Sequence, residues 1–99
     1  MFATHYYETS DQKFKTNIKS ILDSDNIPTL RAFDWKDSGK HSYGFIAQEL
    51  ESQGYGELVD TDEEGSKTVN YSAALSLTVA KLQAKINELE KQIKELRNG

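Results

Sequence analysis

Seven apolar side chains in the last third of the chain, Leu75, Val79, Leu82, Ile86, Leu89, Ile93 and Leu96, are separated by 4, 3, 4, 3, 4 and 3 residues. That alternation is a heptad seam, with Val79, Ile86 and Ile93 at the a positions and Leu75, Leu82, Leu89 and Leu96 at d. A helix of about 25 residues would run roughly 37 Å at 1.5 Å per residue. The roughly 70 residues upstream are too few to cover it, so the seam predicts self-association; the alternative is a helix lying along its own globular body. Lys85 at g and Glu90 at the following e place opposite charges across neighbouring parallel helices. β-branched residues at a with leucine at d favour two strands.

The composition agrees with a domain that needs company. The chain has 99 residues, 36% hydrophobic and 28% charged, enough for one thinly cored domain with an appendage. It contains no cysteine, which excludes disulfides and thiolate metal sites. Net charge is −4 with no basic cluster, which argues against a nucleic-acid partner. No apolar run approaches the roughly 18–20 residues that span a bilayer, so no membrane partner is expected. The opening "MFATHYYETS" has no basic region followed by an apolar one and does not read as a signal peptide. His5 and His41 lie far apart without a third ligand at metal-site spacing, so neither metal nor cofactor is expected.

Residues 1–9 read as an extended lead-in, 10–70 as a globular unit and 71–99 as the coiled-coil helix. From Asp11, the residues Phe14, Ile18, Ile21 and Leu22 follow i, i+4, i+7, i+8 and predict a first helix, capped by Ser10 or Asp11 and ended before Pro28. "TLRAFDWK" predicts a strand over 29–36, and "DSGKHS" a loop. "YGFIAQELESQGYG" predicts a second helix from about Phe45 to Gly54, with Phe45, Ile46 and Leu50 in the core. Leu58–Asp60 and Lys67–Asn70 predict a hairpin around a solvated, glycine-containing turn. The fold class is therefore α+β: short strands and helices followed by a long C-terminal helix.

Ser10 is followed by lysines at three and five residues, Lys13 and Lys15. A serine is nucleophilic only when a base takes its proton, and a lysine serves as that base only when its pKa falls from about 10.4 toward 7. Such a drop costs roughly 4–5 kcal/mol and comes from burial or a neighbouring positive charge. Spacing alone leaves the assignment open. Ser76 and Lys81 repeat the interval inside the long helix, Lys13 forms a rival S-x-x-K arrangement, and Ser10 equally suits a helix N-cap.

Three blocks in order narrow the choice: S-D-x-x-x-K-x-N-I from Ser10 to Ile18, H-x-x-G-F-I-A-Q-E from His41 to Glu49, and V-N-Y from Val69 to Tyr71 leading into the long helix. Together they resemble the intramolecular chaperone domain of endosialidases, the autoprocessing C-terminal domain of phage tailspike and tail-fibre proteins. The resemblance runs from about Ser10 to the end of the chain. It implies a homotrimer that assists folding of its own upstream fibre domain in the host cell cytoplasm during phage assembly. It also implies that the domain then cuts itself free, by a dyad of Ser10 as nucleophile and Lys15 as base acting once per chain. Lys13 would be a surface residue of the first helix. The scissile bond lies beside Ser10, between Thr9 and Asp11. Ser10 Oγ reaches the Thr9 carbonyl through a five-membered N-to-O acyl shift, a more natural geometry than attack on the Asp11 side.

Asn17, His41, Gln48 and Glu49 are candidate contacts to a partner chain or to the client fibre, with ordinary solvated surface as the alternative. Two other functions stay open: the same fold as a non-cleaving trimerisation and folding clamp, or an unrelated coiled-coil adaptor in which Ser10 only caps a helix.

Overall fold

The computed structural model describes residues 9–99; apart from Thr9, the predicted lead-in lies outside the described residues. Two antiparallel hairpins and a short helix form a small α+β body, and one long helix leaves it.

The first hairpin pairs β1 (Arg31–Asp34) with β2 (His41–Gly44), in a register that sets Arg31 opposite Gly44 and Asp34 opposite His41. Gly39, at φ +72, closes the turn by donating its N–H to the Trp35 carbonyl. α1 (Ala47–Ser52) follows, and the second hairpin pairs β3 (Val59–Thr61) with β4 (Lys67–Val69). Its turn is the acidic "TDEEG" stretch, where the Asp62 carboxylate accepts the N–H groups of Glu64 and Ser66. α2 then spans Tyr71–Asn98, and the Asn70 side chain accepts the Ala73 N–H at its start.

The core is small. Phe45, Leu50 and Ala74 are buried, with Tyr55, Leu58, Val59 and Val69 packed around them. Tyr71, in the first turn of α2, places its ring edge-on to Phe45, and its hydroxyl accepts the Phe45 N–H at 3.2 Å. That contact passes over Gly44, where a Cβ would stand 2.3 Å from the Tyr71 hydroxyl. Only glycine fits there.

Three expectations change. Strand β2 was expected to be loop, and the second helix begins two residues later than predicted. Phe45 and Ile46 therefore precede α1 instead of sharing its face, and Ile46 is only half-buried. The first predicted helix is absent. Asp11 caps a single 3₁₀ turn, Gln12–Phe14, after which Lys15 is extended (φ −117, ψ 148) and Asn17 is left-handed (φ 52). A helix of about a dozen residues is marginal in water unless its apolar face is covered, and one chain offers no cover. Phe14, Ile18, Ile21 and Leu22 are 44–83% exposed. We call residues 15–25 the strap.

α2 shows the same division along its length. Its buried positions are Ala74, Thr78 and Lys81, the face turned to the body. Every seam residue is the other way: Leu75, Val79, Leu82, Ile86, Leu89, Ile93 and Leu96 are 45–82% exposed. Leu75, Val79 and Leu82 each follow a buried residue by one position, about 100° around the helix. The body therefore does not cover the seam.

Candidate functional site

Lys15 Nζ donates to Ser10 Oγ across 2.9 Å, and both side chains are exposed. The turn between them makes this contact. Asp11 accepts the Lys13 N–H with its carboxylate and the Phe14 N–H with its carbonyl, and Gln12 accepts the Lys15 N–H. Because Asp11 takes the cap position, the Ser10 hydroxyl remains available to Lys15. A continued helix would have set residues five apart about 140° from one another, at 3.6 residues per turn. It would instead have put Ser10 beside Lys13, three positions on. The single turn followed by an extended Lys15 reverses that preference, and Lys13 Nζ lies over the Phe14 ring, 5.1 Å from its centroid.

Chemically, an ammonium at this distance polarises the serine oxygen. A neutral amine in the same place could accept the Ser10 proton without rearrangement. Thr9 and Asp11 flank the serine, exposed like it.

The other candidate residues are spread over the body. His41 Nδ1 meets Asp34 Oδ1 at 2.6 Å across the first hairpin, and its ring stands edge-on to Tyr43. Glu49 is gripped within its own chain: Arg31 donates from Nε and Nη2, at 2.8–3.1 Å, to both carboxylate oxygens. Those hydrogen bonds hold the Glu49 carboxyl below its ordinary pKa and raise that of Arg31. Gln48 is exposed on α1, and Asn17 occupies the exposed bend of the strap. These four are not gathered around Ser10 by any hydrogen bond among the described residues.

One group escaped the sequence reading. Lys81, buried on the body face of α2, donates to Asp23 Oδ1 at 2.5 Å and to the Asp25 carbonyl at 2.7 Å. Its hydrogen bond holds the Asp23 carboxyl below its ordinary range, and Asp23 in turn raises Lys81. Nearby, Ser24 Oγ donates to Glu88 at 3.0 Å. Past these, Asn26 Nδ2 donates to the Gln53 carbonyl, Gln53 Nε2 to the Ile27 carbonyl, and the Tyr55 hydroxyl to the Asn26 carbonyl. The small residues Ala74 and Thr78, one turn apart, were a legible sign of a closely packed second face on α2. That face ends at a lysine instead of an apolar residue.

Neither the curated proteins nor the solved structures include a significant match to the chain. A family model does match: the chaperone of endosialidase, classed among the peptidases, aligns with residues 10–60. The matched segment opens at Ser10, carries Lys15, the first hairpin and α1, and covers just over half of the chain. By that match, the chain belongs to the chaperone of endosialidase family.

Proposed function

We propose that this domain is a C-terminal intramolecular chaperone that trimerises through the α2 seam, assists folding of its own upstream fibre segment, and then releases itself at Ser10. The upstream segment would be a phage tailspike or tail-fibre domain, folded in the host cell cytoplasm. The observation that carries the reading is the 2.9 Å contact from Lys15 Nζ to Ser10 Oγ, at the start of the family match. The exposed heptad seam supports assembly.

In the proposed reaction, neutral Lys15 takes the hydroxyl proton as Ser10 Oγ attacks the Thr9 carbonyl carbon. The Thr9–Ser10 C–N bond breaks as the Ser10 nitrogen receives that proton back from Lys15, leaving Thr9 esterified to Ser10 Oγ. Water then cleaves the ester to a Thr9 carboxylate and a free Ser10 hydroxyl. Both dyad members are exposed in one chain. The desolvation that makes a lysine a base would therefore come from neighbouring chains, tying cleavage to assembly. A C-terminal trimer raises the effective concentration of three client chains and sets their register, and its removal leaves a fibre that is slow to unfold.

The test is mass spectrometry of a longer chain carrying its upstream segment. The wild type is expected to yield a discrete cut beside Ser10. Ser10→Ala and Lys15→Ala should remain whole as trimers, since Asp11 caps the turn and the exposed Ser10–Lys15 hydrogen bond is the only contact removed. Lys13→Ala should be cut normally. A processed Lys15→Ala chain beside a blocked Lys13→Ala chain would reassign the base. A trimeric wild type that stays whole would favour the non-cleaving clamp, a reading to which the water-exposed dyad also lends itself.

A further inference from the structure

Lys81 is an unusual occupant of its position. The face of α2 defined by Ala74 and Thr78 packs on the body, where an apolar side chain would be the ordinary choice, yet a charged one is buried there. A buried ammonium is costly unless paired, and a buried ion pair is seldom a better source of stability than an apolar contact. What Lys81 does accomplish is geometric. It grips the strap at two points, the Asp23 carboxylate and the Asp25 carbonyl, and Ser24 between them reaches on to Glu88. Lys81 and Glu88 are one heptad apart and both fall at c, on the same side of α2 as Ala74 and away from the a/d seam, so these contacts lay the strap along the helix without covering the seam.

The dyad hangs from this strap. Among the described residues, no hydrogen bond ties Thr16–Leu22 to the body. Lys15 is eight residues from Asp23, a reach of at most about 26 Å at roughly 3.3 Å per residue. Without the Lys81 grip, the strap keeps only the Ser24–Glu88 hydrogen bond to α2 before Asn26 meets Gln53.

We propose that Lys81 and Asp23 are positioning residues for the Ser10–Lys15 reaction: their ion pair lays the strap on the flank of α2, so that assembly along the seam brings the dyad to its working place. The inference rests on the autoproteolytic reading above. It separates assembly from cleavage, because the pair touches neither the seam nor the reacting atoms.

The experiment follows the rate of self-cleavage in the longer chain, with trimer mass by sedimentation and thermal melting measured on the same samples. Asp23→Asn keeps the shape of an exposed side chain and removes only its charge. Because it leaves the buried Lys81 ammonium with neutral acceptors only, it is expected to melt somewhat lower than the wild type but remain a trimer, while cleaving about tenfold or more slowly, in the range that misplacement of reacting groups produces. Asp23→Glu should restore the rate to within about threefold, which a merely structural role would not require. Wild-type cleavage by Asp23→Asn overturns the proposal. So does loss of its trimer, which would make the pair structural, or an Asp23→Glu chain no faster than Asp23→Asn. If the wild type is never cut, or Ser10→Ala is, the underlying reading has failed instead, and the two failures are distinguishable.

Discussion

The body around Leu50 and the region made of residues 10–25 and the exposed seam of α2 are built from similar residues but stand in opposite states. In the body, Leu50 and Ala74 are fully buried, and the Tyr71 hydroxyl and Gln53 amide find backbone partners within the chain. In the other region, Phe14, Ile18, Leu22, Ile86 and Leu96 are all at least half exposed. The first completes its packing alone. The second has an apolar pattern, good caps and no surface to cover it, and it carries both the proposed dyad and the proposed interface. A single chain is therefore a packed part joined to a part that it leaves uncovered.

The largest effect should come from striking the uncovered part alone. Ile86→Asp places like charges together at the coil axis, where desolvation is costly and no partner exists. Each seam side chain buried between chains contributes roughly 1.5–3 kcal/mol, and losing the central layer should leave a chain that sediments as a monomer. The hairpins and α1 should persist, since Leu50 and Phe45 pack without the seam. In the longer protein, the client should remain unfolded and uncut. Monomeric Ile86→Asp chains that still process at Ser10 would break the link between assembly and cleavage. A wild-type mass of two chains would mean that the seam's two-strand chemistry prevails.

An intermediate effect should come from the opposite stroke. Gly44→Ala sets a Cβ 2.3 Å from the Tyr71 hydroxyl, at the junction of the first hairpin with α2. Overpacking of this kind costs about 1–3 kcal/mol, so the melting temperature should fall while trimer mass holds. Tyr71→Phe in the same chain removes the nearest clashing atom and should recover part of the loss. A Gly44→Ala protein that melts like the wild type would show that the Phe45–Tyr71 contact is loose enough to move aside.

How much of this was legible follows from how local each signal is. The long C-terminal helix was legible because heptad spacing is a property of one segment, and the Lys67 hairpin because turn residues bracket it. β2 was missed because His41–Gly44 owes its strand state to pairing with Arg31–Asp34, which no pattern within it announces. The first helix was misjudged for a different reason: periodicity describes a face without saying whether any surface meets it. That misjudgement reaches the site, since a continued helix would have favoured Lys13 as the neighbour of Ser10. The Lys81 clamp was illegible because Asp23 lies 58 residues away in sequence.

The smallest effect is also the one that locates the boundary between the two regions. The Asp23 carboxyl, lowered from its ordinary value of 3.8 chiefly by the hydrogen bond from Lys81, binds fewer protons in the folded chain than in the unfolded one. Its contribution is therefore fully present above about pH 4 and is lost as pH falls through the lowered value. Lys81, raised above its ordinary 10.5 by the same bond, contributes fully below that value and loses its contribution as pH rises through the raised one. The clamp should accordingly be insensitive to pH between these limits and open only at acid or strongly alkaline extremes. The groups facing it are the Asp25 carbonyl, the Tyr55 hydroxyl and, beyond Ser24, Glu88. Amide NMR signals of Ile21, Leu22 and Ser24, followed from pH 8 to 2, should shift only below about pH 4, the ordinary carboxylate range. Asp23→Asn should show the acid-state positions at every pH, while signals around Leu50 remain common to both proteins. A strap transition near pH 6 would place its control outside Asp23, and strap signals unaltered by Asp23→Asn would move the boundary downstream to the Asn26–Gln53 contacts.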